Sequence, residues 1–323
     1  MQKTILVTGG AGYIGSHACK LLNEKGYIPV TFDNFSTGWP EAVKFGPYVE
    51  GDLCNPEDIA KVFKEYKIDT VMHFAACSLV GESVADPKKY WKNNVLGTMN
   101  LLEAMRSAGV TDIVFSSTAA VYGDPKIETI SENTPLSPTN PYGATKQAIE
   151  NMLHDYEQAY GIRHIIFRYF NVAGADAEGE IGEHHDPETH LVPLLLQSVQ
   201  EGKMFTVFGE DYDTADGTCV RDYIHVSDLV DAHIKGVTLL EQGKSGVFNL
   251  GTNHGFSVKE ILDAVEQVTG APVMYKVGAR RMGDPSHLVS SNKKACTDLQ
   301  WEPKRSNMHT MITDAWHWHQ KEI

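Results

Sequence analysis

The sequence lacks any hydrophobic run of the roughly 18 residues that a membrane-spanning helix requires. Its five cysteines are an odd number, lie far apart and form no CxxC pair. They therefore predict reduced thiols rather than a disulfide framework or a cysteine-based zinc site. Basic residues are outnumbered, with 28 Lys and Arg against 42 Asp and Glu. This balance argues against a general nucleic-acid or anionic-membrane surface, although a few arginines can still form a pocket for a small anion.

The start of the chain, MQKTILVTGG, has neither the apolar length nor the small-residue cleavage site of a secretory signal. Together with the reduced thiols, this predicts a cytoplasmic protein. The chain has 323 residues, of which 42% are hydrophobic and 22% charged. That size and composition suit one large or two medium globular domains.

The first half of the sequence alternates short apolar runs with helical patterns, which predicts an α/β fold with a Rossmann-type, doubly wound parallel sheet. The predicted strands lie at residues 5–7, 28–32, 48–50, 70–74, 113–115 and 164–170. The predicted helices cover about residues 14–25, 56–66, 93–109 and 141–160. We expect residues 1–172 to form a dinucleotide-binding domain, with a return segment at about 222–250.

The second half has a looser pattern. Residues 171–187 are rich in Gly, Asp and Glu and are predicted to form a long loop. Shorter elements follow, with strands at 247–250 and 273–277 and a helix at 257–269. We therefore expect residues 173–323 to form a smaller, mixed α/β substrate domain.

A glycine-rich loop, TGGAGYIG, follows the first predicted strand and precedes a helix. Gly9, Gly12 and Gly15 allow a tight turn and a close approach of a pyrophosphate to the backbone and the helix N-terminus. A tight turn without a ligand is the alternative. Asp33 ends the second strand, where a carboxylate accepts hydrogen bonds from a ribose and repels the 2′-phosphate of NADP. The two features together predict NAD as the cofactor.

A candidate catalytic pair lies on the helix that begins after Asn140. Tyr142 and Lys146 are four residues apart and therefore share a helix face. The tyrosine is too weakly acidic to be a base at neutral pH, but a neighbouring ammonium and a cationic nicotinamide ring favour its phenolate. Tyr142 is then a candidate general base. Thr118, at the end of the preceding strand, supplies a hydroxyl for a substrate oxygen or merely caps a turn.

These motifs, in this order, resemble the extended short-chain dehydrogenase/reductase family, and the resemblance spans essentially the whole chain. More narrowly, the chain is similar to the UDP-hexose 4-epimerase branch of that family. The two stretches most specific to nucleotide-sugar enzymes are 216–226 (DGTCVRDYIHV) and 280–284 (RRMGD). The other matching stretches are 8–17 (TGGAGYIGSH), 73–84, 115–124 (FSSTAAVYGD), 141–146 and 168–174 (RYFNVAG).

The resemblance implies a role for each matching position. The residues implied to line NAD are Tyr13, Ile14, Asp33, Asn34, Asp52, Leu53, Phe74, Ala75, Asn93, Tyr142, Lys146 and Phe170. Thr118 and Tyr142 would face the 4-hydroxyl of the sugar. The residues implied to hold UDP are Asn171, Leu191, Phe208, Arg221, Arg281 and Asp284. Leu288 stands where the family limits the 2-substituent of the sugar. Ser78 and His190 stand where the family usually has a lysine and an asparagine.

The implied reaction interconverts UDP-galactose and UDP-glucose through a transient 4-keto sugar and NADH, in galactose metabolism. Leu288 is smaller than the tyrosine that restricts relatives to plain hexoses, so a UDP-N-acetylglucosamine or dual-specificity epimerase is an alternative. A 4,6-dehydratase needs an acid after Thr118, where Ala119 and Ala120 stand. A non-catalytic NAD-sensing regulator tends to lose the Tyr/Lys pair that this chain keeps. The family also implies a homodimer, built from helices 93–109 and 141–160.

Two histidine-containing clusters complete the sequence. Residues 183–186 (EHHD) together with His190 have the residue types of a metal site, but they fall in the predicted loop and the implied reaction needs no metal. We therefore assign them no ligand role from the sequence. Residues 316–319 (WHWH) predict a terminal helix that packs its tryptophans and exposes its histidines.

Overall fold

The computed structural model describes residues 2–281 and 284–321 and separates the chain into two units. The first unit contains the chain up to Pro125, with Asn133–Tyr169 and Val230–Asn249. The second contains Lys126–Glu132, Phe170–Leu229 and the chain from Leu250 onward. We propose these units as the two domains, which places the return segment at 230–249 instead of 222–250.

The described residues form thirteen strands and eleven α-helices. The strands are β1 (Thr4–Thr8), β2 (Ile28–Asp33), β3 (Tyr48–Glu50), β4 (Thr70–His73), β5 (Asp112–Thr118), β6 (Arg163–Tyr169), β7 (Asn171–Ala173), β8 (Phe205–Phe208), β9 (Val220–His225), β10 (Gly246–Leu250), β11 (Gly255–Ser257), β12 (Tyr275–Gly278) and β13 (His287–Leu288). The helices are α1 (Tyr13–Glu24), α2 (Pro56–Glu65), α3 (Val80–Ala85), α4 (Pro87–Tyr90), α5 (Gly97–Ala108), α6 (Pro141–Tyr160), α7 (Leu191–Glu201), α8 (Val226–Glu241), α9 (Val258–Thr269), α10 (Lys293–Asp298) and α11 (Met308–His319). Short 3₁₀ turns cover Pro40–Ala42 and Ala119–Tyr122, and a π-helical turn covers Trp91–Leu96.

A seven-stranded sheet organises the first unit, in the order β10-β6-β5-β4-β1-β2-β3. The pairings of β1 with β2 and β4, and of β5 with β4 and β6, are parallel. This confirms the predicted Rossmann-type, doubly wound fold. The strand order reverses between β1 and β4, and such sheets bind ligands outside the carboxyl ends of the strands at that point.

The apolar strand sequences are explained by burial on both faces of this sheet. Ile5, Leu6 and Val7 are fully buried, as are Ile113 and Phe115. In a half-exposed strand every second residue would be polar, so the unbroken apolar runs require helices on both sides.

Helix α6 shows how local sequence sets its boundaries. The Asn140 side chain accepts a hydrogen bond from the Gly143 amide, Pro141 occupies the first turn, and Gly161 ends the helix in the left-handed conformation. The prediction for residues 93–109 was incomplete, because the helical segment begins earlier, as a π-turn at Trp91–Leu96. Sequence periodicity does not distinguish such a turn from a regular α-helix.

The second unit contains one four-stranded and one two-stranded sheet. The prediction that residues 171–187 form only a loop was wrong at its start, because β7 pairs in parallel with β9. Ser257 lies one position before α9 and caps it, in a reciprocal capping box with Glu260. The strand predicted at 273–277 begins two residues later, as β12, and the predicted terminal helix is α11.

Within the described ranges, every helix is too short or too polar to cross a membrane.

Candidate active site

The glycine loop lies between β1 and α1 in the first unit, at the strand-order reversal. A Cβ atom on Gly15 would stand 2.1 Å from the Gly9 carbonyl oxygen, and one on Gly9 would stand 2.7 Å from the Ala75 amide nitrogen. Gly9 also has a positive φ of 73°. Gly12 is the N-cap of α1, and Tyr13 and Ile14 are its first helical residues. The first amides of α1 follow this tight turn, and the N-terminus of a helix favours an anion such as a pyrophosphate.

Asp33 is fixed by the backbone around it. Its Oδ2 accepts a hydrogen bond from the Ala11 amide at 3.0 Å, and its Oδ1 accepts one from the Phe35 amide at 2.9 Å. Burial raises the pKa of Asp33, while these backbone bonds lower it. The carboxylate is thus oriented before any ligand binds, and each oxygen has a further lone pair for a ribose hydroxyl.

The neighbouring positions expected to line the adenine lie beside Asp33. Asn34 follows β2, and its side-chain amide donates a weak hydrogen bond of 3.4 Å to Asp52. The Asp52 carboxylate also accepts from the Cys54 amide at 2.7 Å, and Leu53 is buried. The structure therefore brings Asn34, Asp52 and Leu53 close to the carboxylate of the second strand.

At the end of β4, buried polar contacts support Phe74 and Ala75. His73 is hydrogen-bonded at Nδ1 to Thr8 (2.6 Å) and at Nε2 to Thr98 (2.8 Å). Burial lowers the pKa of His73 to about 3, so its imidazole is neutral. The amides of Phe74 and Ala75 both donate to the Thr8 carbonyl, at 3.0 and 3.1 Å. These contacts tie the β4 end to the glycine loop.

The π-helical turn presents two asparagines with different surroundings. Asn94 is buried and bonds both the amide (2.8 Å) and the carbonyl (3.0 Å) of Cys77. Its side chain also donates to the Thr145 hydroxyl on α6, at 3.2 Å. Asn94 is thus a structural clamp rather than a simple helix cap, and Asn93, hydrogen-bonded to it at 3.1 Å, stays the cofactor candidate.

The candidate catalytic residues meet where β5 ends and α6 begins. A hydrogen bond from the Thr118 hydroxyl stabilises the Tyr142 phenolate, but burial has the larger effect and raises the pKa of Tyr142 to about 12. Thr118 also caps the following 3₁₀ turn by accepting from the Ala120 amide at 3.1 Å. The capping interpretation of Thr118 is therefore confirmed, and its contact with a substrate oxygen stays a prediction.

Lys146 lies beside Tyr142, as the helical spacing predicts. Its Nζ is 6.0 Å from the centre of the Tyr142 ring and donates a 2.7 Å hydrogen bond to the Ser116 carbonyl. Burial lowers the pKa of Lys146 to about 7, against an opposing attraction to Glu150. In the protein alone, burial therefore favours the neutral amine and the protonated phenol, and the phenolate expected from the sequence also requires the positive charge of the nicotinamide ring.

Sequence reasoning missed a buried polar network one turn beyond Lys146. Glu150 pairs with Arg168 at 2.5 Å, and both side chains are almost fully buried. Ser117 donates to Glu150 at 2.5 Å, and Arg168 donates to the Tyr122 hydroxyl at 2.9 Å. The only sequence signal was Arg168, a charge that directly follows the apolar residues 165–167 of β6. The network links α6 to β5 and β6, and so fixes the helix that carries Tyr142 and Lys146.

In the second unit, the structure brings Arg221, Asp284 and Leu288 together. Arg221 on β9 forms an ion pair with Asp284 and donates to the Pro285 carbonyl at 2.6 Å. Leu288 on β13 pairs in register with Arg221. The Arg221 side chain is largely buried, with 12% of it exposed. Sequence gave no sign that Asp284 would contact the arginine itself.

The remaining expected UDP contacts are more dispersed. The Arg281 guanidinium stacks over the Phe208 ring, 4.3 Å from its centre. The other two UDP positions lie at element ends, with Asn171 opening β7 and Leu191 opening α7, and Phe170, expected to line NAD, lies just before β7. Met282 and Gly283 of the RRMGD stretch lie outside the described residues.

Asp222, beside Arg221 in the sequence, is a second residue that sequence reasoning missed. It is fully buried and accepts four hydrogen bonds, from the amide and hydroxyl of Thr252 and from those of Ser290. Asp222 therefore ties β9 to the segments that follow β10 and β13, and stabilises the strand that positions Arg221.

Comparisons with known proteins agree with this geometry. The model of the NAD dependent epimerase/dehydratase family matches residues 5–251. The chain is 49% identical to the UDP-glucose 4-epimerase of Halalkalibacterium halodurans over 98% of this chain and 96% of that one. It superimposes on a crystal structure of a UDP-glucose 4-epimerase at 50% identity with a TM-score of 0.97, covering 99% and 98% of the two chains. The Bifidobacterium longum UDP-glucose 4-epimerase, solved with NAD⁺ and UDP, is 38% identical with a TM-score of 0.93, covering 99% and 98%.

Proposed function

The chain belongs to the NAD dependent epimerase/dehydratase family, and we propose that it has UDP-glucose 4-epimerase activity, interconverting UDP-galactose and UDP-glucose. The observation that carries the proposal is the grouping of Thr118, Tyr142 and Lys146 at the end of β5, in the same parallel sheet as the strand that precedes the glycine loop. The high identity to curated UDP-glucose 4-epimerases over nearly the whole chain supports the same activity.

NAD fits the first unit. Gly9 and Gly15 leave no room for a Cβ atom, as a backbone that approaches a pyrophosphate requires, and Asp33 stands ready for a ribose. The remaining cofactor contacts that we propose are Tyr13, Ile14, Asn34, Asp52, Leu53, Phe74, Ala75, Asn93 and Phe170. When bound, NAD supplies a hydride acceptor for C4 of the sugar, and the hydride later returns to the opposite face.

Tyr142 is the proposed general base, removing the proton of the 4-hydroxyl at its phenolic oxygen. Because burial raises its pKa to about 12, the phenolate must be generated by positive charge present in the complex. Lys146 supplies part of that charge, and the Thr118 hydroxyl donates to the resulting phenolate. Thr118 then also orients the oxygen of the 4-keto sugar.

The nucleotide must stay anchored while the keto sugar turns over between its two faces. We propose that Arg221 contacts the diphosphate, because a guanidinium pairs with phosphate oxygens bidentately. Asp284 and the Pro285 carbonyl hold the Arg221 fork in a fixed orientation for this contact. Asn171, Leu191, Phe208 and Arg281 complete the proposed UDP contacts, and Leu288 is the proposed wall beside C2 of the sugar.

A 4,6-dehydratase is disfavoured by the residues that follow Thr118. Ala119 and Ala120 open the 3₁₀ turn there, so the acid needed to expel the 6-hydroxyl is missing from that place.

We further propose a cytoplasmic homodimer that uses the surface of the π-turn, α5 and α6. Trp91, Leu96 and Met99 on this surface are 44%, 37% and 41% exposed.

The decisive experiment incubates the purified full chain with UDP-galactose and, separately, with UDP-N-acetylgalactosamine, without added cofactor. We expect conversion of the plain hexose and release of NAD from the denatured protein, because each catalytic cycle returns the cofactor unchanged. Absence of UDP-glucose after prolonged incubation with added NAD⁺ would contradict the proposed activity. A comparable kcat/KM for the acetamido sugar would instead show that Leu288 leaves the pocket open.

A further inference from the structure

The loop before α7 gathers four side chains of the kinds that bind transition metals. Glu183, His185, Glu188 and His190 each offer one donor atom, and all four atoms lie within 4.8 Å of one another. None of them belongs to the proposed NAD or UDP contacts. Three of the four belong to the histidine-containing group noted in the sequence, to which no ligand role was assigned, and the structure adds Glu188 to them.

The distances from His185 to the two carboxylates suit a tetrahedral ion. In a tetrahedron with metal–ligand distances of about 2.0–2.1 Å, neighbouring donors lie about 3.4 Å apart. The His185 Nδ1 is 3.4 Å from a Glu183 oxygen and 3.5 Å from a Glu188 oxygen. The His190 Nδ1 contacts Glu183 and lies 3.9 Å from Glu188. The spacings of His185 therefore match the tetrahedron, whereas His190 is hydrogen-bonded directly to Glu183, and this contact must lengthen when an ion binds.

A network of ordinary ion pairs is the competing explanation. In that case each imidazole would have a directed hydrogen bond to a carboxylate, as His190 has to Glu183. The His185 Nδ1 is shielded from solvent and has no hydrogen bond of good geometry to any described residue. The two carboxylates beside His185 are also shielded from solvent, since only 7% and 5% of the Glu183 and Glu188 side chains are exposed.

We propose that Glu183, His185, Glu188 and His190 form a binding site for a Zn²⁺-like divalent cation. Two imidazoles and two carboxylates favour Zn²⁺ or Co²⁺ over Mg²⁺ and Ca²⁺, which prefer oxygen ligands alone. A pocket of about 530 Å³ adjoins the cluster and is lined by Glu183, His185 and Glu188, so the ion can be loaded from solvent.

The ion would fasten the loop to the helix that follows it. His190 is the N-cap residue of α7, and its side chain makes no capping hydrogen bond with that helix. The other three ligands come from the preceding loop, so one cation joins the loop to the helix start. Leu191, the next residue, is a proposed UDP contact. The ion would stabilise the start of α7 next to it, and the proposed reaction does not use the ion.

The test titrates EDTA-treated full-length protein with Zn²⁺ by calorimetry and records the absorption spectrum with Co²⁺. We expect one Zn²⁺ per chain, a tetrahedral Co²⁺ spectrum and a melting temperature that rises with Zn²⁺. His185→Gln and Glu188→Gln are each expected to weaken binding about tenfold or more and to abolish the thermal shift. His184→Gln is the matched control, because His184 lines the same pocket but lies outside the four ligands.

Three results would overturn the site: no stoichiometric Zn²⁺, unchanged binding in both ligand variants, or equal loss in the His184 control. The melting temperatures of the metal-free variants show whether they are folded, so a misfolded variant is not mistaken for a lost ligand. Since binding is measured without substrate, the outcome is independent of the proposed epimerase activity.

Discussion

At the residue scale, Tyr142 and Lys146 share a helix face but have different partners. Thr118 bonds to the phenol, whereas the ammonium donates to the Ser116 carbonyl. Each group is shifted by burial toward its neutral form. In the proposed mechanism, the charged forms of Tyr142 and Lys146 therefore depend on the charge that the bound ligands bring.

Replacing Tyr142 by Phe is expected to remove the proposed base while the ring continues to fill its space. The loss of a general base reduces kcat by roughly 10²–10⁴-fold. UDP binding should change little, because the proposed UDP contacts are other residues. Measuring kcat and the Kd for UDP in the same preparation checks both points, and a near-normal kcat would show that another group takes the proton.

Lys146 predicts a pH-dependent contribution to stability. Its pKa falls from 10.5 to about 7 on burial, so between these values the unfolded chain binds more protons than the folded one. The contribution of Lys146 to the free energy of unfolding therefore rises with pH across that window. Urea unfolding of the parent and of Lys146→Met, at several pH values, should show a difference that grows in favour of the parent. Lys88→Met, at an exposed lysine, is the control that should show no such trend.

The Glu150–Arg168 pair predicts a large asymmetry between single and double substitutions. Glu150→Gln leaves the Arg168 guanidinium buried without its counter-charge, which costs about 3–5 kcal/mol. Replacing both residues, as Glu150→Gln with Arg168→Met, should recover part of that loss. Denaturant unfolding measures the difference, with Glu103→Gln of the exposed Glu103–Arg106 pair as the mild control. Equal losses for Glu150→Gln and Glu103→Gln would contradict the assigned role.

At the element scale, the sequence predicted elements well wherever the signal is local. The bounds of α6 follow from Asn140, Pro141 and Gly161, and the buried strands follow from unbroken apolar runs. The sequence-based prediction was wrong at β7, because a three-residue strand is defined by its pairing with β9 rather than by its own sequence.

The candidate site shows the same division. The glycine loop, Asp33 and the Tyr142–Lys146 spacing are local patterns, and the structure places them as expected. The pairing of Arg221 with Asp284 and of Glu150 with Arg168 joins residues 63 and 18 positions apart. Composition and periodicity carry no information on such pairs, because they depend on which elements the fold brings side by side.

The turn from β1 to α1 predicts that glycine is required at position 15. Gly15→Ala would place a methyl group 2.1 Å from the Gly9 carbonyl oxygen, so the backbone of the loop must shift. We expect lower stability and NAD lost from the purified protein. In α3, Gly81 has open space around its Cβ position, so Gly81→Ala should be neutral or stabilising by up to about 1 kcal/mol. Thermal melts and NAD content compare the two variants, and full NAD content in Gly15→Ala would contradict the proposed tight fit.

At the scale of the whole molecule, the exposed apolar side chains of Trp91, Leu96 and Met99 predict self-association. Sedimentation should give twice the mass of one 35.7 kDa chain at micromolar concentration. Met99→Glu should shift the mass toward a single chain, because it places a charge in the proposed contact. Tyr48→Glu, at a 58% exposed position on the edge strand β3, is the control and should leave the dimer intact. A parent protein that sediments as one chain would rule out the dimer.

The Asp33 carboxylate, on which the preference for NAD over NADP depends, also accepts two backbone hydrogen bonds that stabilise the turn after β2. Phe35, whose amide donates to Asp33, has a positive φ of 54°, a conformation that non-glycine residues adopt at a cost of about 1–3 kcal/mol. An engineer who replaces Asp33 with a small residue to admit a 2′-phosphate also releases Phe35 and leaves the Ala11 amide without its acceptor. A route to a phosphorylated cofactor therefore starts with Phe35→Gly, which removes the backbone strain before the carboxylate is given up.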